Sequence, residues 1–237
     1  MITASSLSKR YRRTAAVDDV TFTCEPGTIT GFLGRNGAGK STTLRMITGL
    51  TRPDAGRATV AGQPFSRLPN PARIVGTLLD AAAFHDGRSG RECLRIACVM
   101  TGVPKARADD LLDAVSLSED AGRRVGGYSL GMRQRLGLAH ALIGDPSVLI
   151  LDEPGNGLDP EGIAWIRTLL REFAARGGTV LLSSHLLAEV QATADHLVII
   201  DRGRVVASGT QASLLAGTGQ TLEELFLSLT APKEAIR

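Results

Sequence analysis

Residues 34–42, Gly34-Arg35-Asn36-Gly37-Ala38-Gly39-Lys40-Ser41-Thr42, carry glycines, one lysine and two hydroxyls in the spacing G-x-x-x-x-G-K-[ST]. Glycines at those places let the backbone bend so that successive N–H groups point inward at phosphate oxygens. Lys40 then reaches the β- and γ-phosphates, and the Ser41 hydroxyl is a ligand for Mg²⁺. The apolar run TITGFL precedes the loop and STTLRMITGL follows it, the strand-then-helix context such a loop requires. This is the chemistry of a nucleotide site.

A second set of reactive groups closes the apolar run Val148–Leu151, where Asp152 and Glu153 follow at once. A buried strand delivers such carboxylates to the carboxyl edge of a sheet, where α/β proteins bind ligands. Asp152 is then placed to hold Mg²⁺, directly or through water, and Glu153 to polarise an attacking water as general base. Farther on, TVLLSSH ends in Ser184–His185, an imidazole at the end of another strand. Between loop and carboxylates, YSLGMRQRLGLAHALI (128–143) reads as a Ser–x–Gly turn entering an amphipathic helix rich in arginine at its start. Free N–H groups and the dipole at such a helix start favour an anion. The chain thus holds two phosphate-binding elements nearly a hundred residues apart.

The elements that position these groups follow from period and punctuation. ITASSLSKRY, AAVDDVTFTCE, TITGFLG and RATVAGQPF read as short strands, and ARIVGTLLD (72–80) as a buried one. Apolar residues at i, i+3 and i+4 mark helices in RECLRIACVMTGV and ARADDLLDAVSL. From SVLILDE onward strands and helices alternate through EGIAWIRTLLREFAARGG, TVLLSSH, LLAEVQATAD and HLVIIDRGRVVASG, which implies a parallel sheet covered on both faces. TLEELFLSLT reads as a last helix. The predicted organisation is one unit: residues 1–85 and 146–220 form an α/β core with an antiparallel β part, 86–145 a helical insert, and 221–237 a C-terminal helix and tail.

Composition narrows the classes. The chain has 237 residues, 43% of them hydrophobic and 22% charged, which suits a globular protein and excludes a disordered or fibrous one. A net charge of +3, from 27 basic and 24 acidic residues, does not argue for nucleic acid. Lysine is scarce: Lys9, Lys40, Lys105 and Lys233 are all there are, and arginine supplies the other basic residues. Cys24, Cys93 and Cys98 form neither a CxxC pair nor a disulfide framework, which favours a reducing compartment. No secretory signal or membrane-spanning apolar run is expected.

The order of parts (phosphate loop, helical block, Ser–x–Gly helix start, acid strand, GLD turn, strand-end His) resembles the nucleotide-binding subunits of ATP-binding cassette (ABC) transporters over nearly the whole chain. The resemblance implies a P-loop NTPase core with a mostly parallel sheet, an N-terminal antiparallel β subdomain and an inserted α-helical subdomain. It also implies ATP and Mg²⁺ as cofactors and a homodimer with ATP at its interface. In that arrangement Ser129 and Gly131 of one subunit face the ATP held by the other's Lys40, so the second anion site is the other half of the first. Tyr11 matches the aromatic that stacks on adenine, Asp159 the turn that crosses the interface, and His185 the switch histidine. Two places depart from the family pattern. Tyr128-Ser129-Leu130-Gly131-Met132 replaces Leu-Ser-Gly-Gly-Gln, and Asp80 stands where a glutamine usually serves as ligand to metal and water.

What the resemblance implies for function is an ATPase that docks on a separate integral membrane permease at the cytoplasmic face and powers export. YSLGMRQRLGLAHAL, GNGLDPEGI and TLEELFLSLT are similar to stretches of bacitracin- and anthracycline-type exporters. Two alternatives stay open: a soluble family member acting on ribosomes or DNA, and a regulatory cassette that binds ATP without turnover.

Overall fold

The computed structural model describes residues 1–231; the tail expected over 232–237 lies outside the described residues. Two sheets carry the fold. The first is antiparallel, in the order β2 (Thr14–Cys24), β1 (Ile2–Tyr11), β4 (Ala55–Val60). The second has six strands, in the order β5 (Val75–Leu78), β6 (Val148–Asp152), β7 (Thr179–Ser184), β3 (Ile29–Leu33), β8 (His196–Asp201), β9 (Arg204–Thr210). Strands β3, β6 and β7 are buried along almost their whole length, and the consecutive apolar residues Val148–Leu151 of β6 and Val180–Leu182 of β7 are those expected of a central parallel strand. Phe22 stacks on Phe32 at 5.2 Å and joins the two sheets through one hydrophobic cluster.

The carboxyl ends of the central strands coincide. Leu33 pairs with Ser184 and Asp152 with Ser183, so the loop after β3, the acid pair after β6 and the imidazole after β7 leave the sheet at one level. Helix α1 (Lys40–Ile47) starts there. Between β5 and β6 lie α2 (Gly90–Thr101), α3 (Ala106–Ala114) and α4 (Leu130–Ala141), with a hydrophobic cluster of their own around Leu94, Leu112, Val115 and Leu136. Helices α5 (Pro160–Ala175), α6 (Leu187–Thr193), α7 (Gln211–Leu215) and α8 (Leu222–Thr230) complete the described residues.

Three differences from the sequence reading have physical causes. HLVIIDRGRVVASG is not one strand but the hairpin β8–β9, because Arg202 and Gly203 both take positive φ (46° and 81°), the geometry of a tight two-residue turn. The strand expected over 72–80 shrinks to Val75–Leu78, since Pro71 opens a short 3₁₀ turn that uses up the residues before it. Helix α4 is not amphipathic in the ordinary sense. Leu138 and Ala141 enter the cluster under the sheet while Leu136 and Ala139 enter the helical one, so opposite faces are both buried.

All three cysteines are buried and unpaired, and burial pushes their thiols up, that of Cys24 to about 12. A thiol that is neither exposed nor ionised does not react. Alkylation at about pH 8 is expected to leave the folded chain unmodified and to label three thiols once denaturant is added. Labelling of any of them in the native state, read by intact mass, contradicts this burial.

Candidate functional site

A cavity of about 440 Å³ opens where the three strand ends meet. The phosphate loop forms one wall, with Arg35, Asn36, Gly37, Gly39, Lys40, Ser41 and Thr42, while Asp152 and Glu153 form another. Gly34 and Ala38 complete the loop backbone without lining the cavity. Gly39 has φ 106°, and a Cβ there would lie 2.4 Å from the carbonyl oxygen of Ala16, so no other residue fits without moving the backbone of β2. Helix α1 has no side-chain cap and no acidic residue in its first turn, which leaves its first N–H groups to an anion. Lys40 is only 6% exposed, yet its ammonium reaches the cavity, donating to the carbonyl of Gly34 at 2.7 Å. Lys40 Nζ stands 3.7 Å from Glu153 Oε1. The site therefore presents backbone donors and a held cation to one end of a ligand, which is the chemistry of nucleotide phosphates.

Glu153 is held in a strained backbone conformation. Its φ is 50°, a left-handed backbone that a residue with a Cβ adopts at a cost of about 1–3 kcal/mol. The surroundings impose it. The Glu153 N–H donates to Ser183 O at 3.1 Å, and its carbonyl accepts from the Asn156 N–H and from Gln134 Nε2, each at 3.1 Å. Strain held this firmly at the end of a buried strand aims the side chain, and its carboxylate lies between Lys40 and His185. His185 Nδ1 is 2.7 Å from Glu153 Oε2, and the His185 N–H donates to the same oxygen at 3.3 Å. Asp152 is engaged differently: its Oδ1 accepts from the Ser183 hydroxyl.

A divalent ion is suited by what remains. Ser41 and Asp152 bring hard oxygen donors to one cavity. Among the described residues no group of three or more His, Cys, Asp or Glu side chains forms a metal cage. That donor set fits an ion that keeps its waters and takes substrate phosphates as ligands, the habit of Mg²⁺. Asp80 also lines the cavity, but its Oδ1 accepts from the Ala82 N–H at 2.8 Å and caps its own turn.

The remaining expected site residues lie elsewhere. Tyr11 is 49% exposed at the β1–β2 turn; the cavity is lined there by Ala16 of β2 instead. Ser129 caps α4 by accepting from the Met132 N–H at 3.2 Å, and Asp159 caps α5 by accepting from the Gly162 N–H at 2.8 Å. Neither lines the cavity, nor does Gly131, whereas Leu130 between Ser129 and Gly131 does. Gly131 and Leu130 pack on Gly157, where an added Cβ would meet Leu130 Cγ at 2.6 Å.

The chain matches the ABC transporter family profile over residues 17–156, which is more than half its length. The protein belongs to the ABC transporter family. It is an ATP-binding cassette and an ATPase of that family. It is similar to a bacitracin transport ATP-binding protein of Bacillus licheniformis, 40% identical over 209 residues, covering 87% of this chain and 68% of that one. It is also similar to a daunorubicin resistance ATP-binding protein of Streptomyces coeruleorubidus, 41% identical over 223 residues, 92% of this chain and 71% of that one. A solved structure described as an ATP binding subunit of an ABC transporter superposes with a TM-score of 0.88 at 30% identity, covering 97% of this cassette and 99% of that chain.

Two groups of the cassette's site escape sequence reading. Glu189, four residues past His185 on α6, has its Oε1 buried without a hydrogen-bond partner. Burial first, and then the negative charge of Glu153, raise the Glu189 carboxyl above its ordinary value. Gln134 is the other, buried within α4. The signal for Gln134 is a polar residue on a helix that faces inward on both sides, visible only once α4 is known to be buried all round. Glu189 has no comparable signal, because a glutamate on a short helix is ordinarily a solvated one.

Proposed function

We propose that this cassette is the ATP-hydrolysing subunit of an exporter. In this reading it works as a homodimer at the cytoplasmic face of the membrane, on a separate membrane-spanning permease, and moves a small drug-, antibiotic- or lipid-like molecule. The observation that carries the ATPase part is the Lys40–Glu153–His185 cluster at the mouth of the phosphate loop. Lys40 and the loop N–H groups hold the phosphates, Glu153 takes a proton from the attacking water, and His185 fixes the carboxylate that does so. Ser41 and Asp152 would hold Mg²⁺, with Asp80 as a further candidate donor in the same cavity; when bound, the ion would neutralise phosphate charge. Ser129, Gly131 and Asp159 act on the ATP of the other subunit, which accords with none of the three lining the cavity of their own chain. Export is supported by the relatives whose names speak of bacitracin transport and daunorubicin resistance.

The permease part rests on a groove of about 560 Å³ in the helical block. Ile96, Val99 and Met100 form its apolar floor, exposed by 38%, 63% and 80%, and Arg88, Glu92, Arg95 and Lys105 its charged rim. An apolar floor with a charged rim suits a short amphipathic helix of a partner. No helix among the described residues is long and apolar enough to cross a membrane. Met100 projects into solvent, so Met100→Asp leaves folding and basal ATPase activity unchanged. It is expected to lower recovery of a polytopic membrane protein with the tagged cassette, in mild detergent from host membranes, by about tenfold or more. Recovery of ribosomes or DNA-bound proteins instead, insensitive to Met100→Asp, moves the reading to a soluble role.

A further inference from the structure

Gln134 is 5% exposed and lines the nucleotide cavity from α4. Its amide is used on one side only. Nε2 donates to the carbonyl of Glu153 at 3.1 Å, while Oε1 is buried with no partner. An apolar side chain of the same size fills this space without stranding an acceptor, so the amide is not there for stability. Nor does the Glu153 carbonyl depend on it for satisfaction, since the Asn156 N–H also donates to that oxygen. What the Gln134 contact adds is a second restraint on a residue whose backbone is left-handed at φ 50°. It is also a link between elements: α4 begins at Leu130, directly after Ser129, while Glu153 follows β6.

We propose that Gln134 is a positioning residue for hydrolysis, tying the backbone of Glu153 to α4 so that the helix carrying Ser129 and Gly131 also sets where the Glu153 carboxylate points. The proposal rests on the reading of Glu153 as the base. It makes the base responsive to the placement of the helical block: if α4 moves relative to β6, the restraint on Glu153 moves with it.

The test is Gln134→Met in the full-length cassette. The expected result is a melting temperature equal to or above that of the native chain and ATP affinity within about threefold. kcat falls by about tenfold to a hundredfold. Hydrogen exchange in the peptide spanning 153–157 quickens, while that in β6 does not. Gln134→Glu supplies the second variant, because a carboxyl can donate to the Glu153 carbonyl only when protonated. The charged groups facing it in the cavity are Arg35, Lys40, Asp80, Asp152 and Glu153. At about pH 8 a carboxyl at this place is ionised and cannot donate, so kcat is expected to fall with that of Gln134→Met.

Normal kcat and unchanged exchange in Gln134→Met overturn the proposal. So does a variant in which stability, ATP affinity and kcat fall together, since that is a packing residue. If Gln134→Met does not fold, a normal kcat in Gln134→Glu at about pH 8 overturns it. Glu153→Gln run in parallel separates the two levels. Normal turnover there overturns the reading of Glu153, whereas normal turnover in Gln134→Met beside an inactive Glu153→Gln overturns only the role of Gln134.

Discussion

Glu153→Gln is expected to reduce steady-state ATP hydrolysis by about 10²–10⁴-fold, the range a positioned general base contributes, while ATP still binds. The substitution keeps the shape of the side chain and its contacts to the backbone. The N–H of Glu153 still donates to Ser183 O, and its carbonyl still accepts from Asn156 and Gln134, so the left-handed turn persists. What disappears is the charge between Lys40 and His185 and the ability to accept a proton from water. Lys40 retains the Gly34 carbonyl as partner at 2.7 Å and stays in place for the phosphates. With binding intact and hydrolysis blocked, ATP accumulates with the cassette in its dimeric form. Phosphate release measures the first effect and size-exclusion chromatography with ATP the second. Unimpaired turnover removes Glu153 from the mechanism. A loss of binding equal to the loss of turnover makes it a structural residue of the loop.

The phosphate loop and the acid pair are legible in the sequence because each is a local pattern with its context attached: an apolar run before the glycines, a helix after them, four buried residues before Asp152. The parallel core is legible for the same reason, since strands buried on both faces are continuous apolar runs. What escapes depends on distance in the chain. Glu153 and His185 stand 32 positions apart, and only the β6–β7 register brings Nδ1 within 2.7 Å of the carboxylate. Gln134 reads as one more polar residue until α4 is seen to bury both faces. Asp80 is expected at the metal only from a family pattern, and its carboxylate caps a turn through the Ala82 N–H; its standing as a candidate metal donor is part of the proposal. Arg202–Gly203 hides a hairpin inside a strand-like run because arginine carries no sequence signal for positive φ.

Lys40→Ala and Gly131→Asp are each expected to leave less than about 1% of native activity when assayed alone, and to recover activity when mixed. The reasoning is geometric. Within one chain Lys40 lines the cavity and Gly131 does not, so the two substitutions damage opposite halves of a composite site. In a symmetric dimer of either variant both sites are broken, because each pairs one sound half with one damaged half. In a mixed dimer both defects fall on the same site and the other is assembled from native residues alone. Random reassortment makes about half of the dimers mixed, each with one sound site of two, so recovery approaches about a quarter of native turnover. Gly131 sits close to Gly157, and a Cβ added to it would lie 2.8 Å from the Gly157 carbonyl oxygen, so the aspartate adds both bulk and a negative charge where the proposed dimer brings a phosphate. Lys40→Ala removes the cation and leaves the Gly34 carbonyl without its donor. Recovery on mixing, titrated against the ratio of the two chains, supports Gly131 acting on the ATP of the other subunit. Flat, inactive mixtures from chains that still dimerise place Gly131 and Lys40 in the same site and remove the need for a second copy.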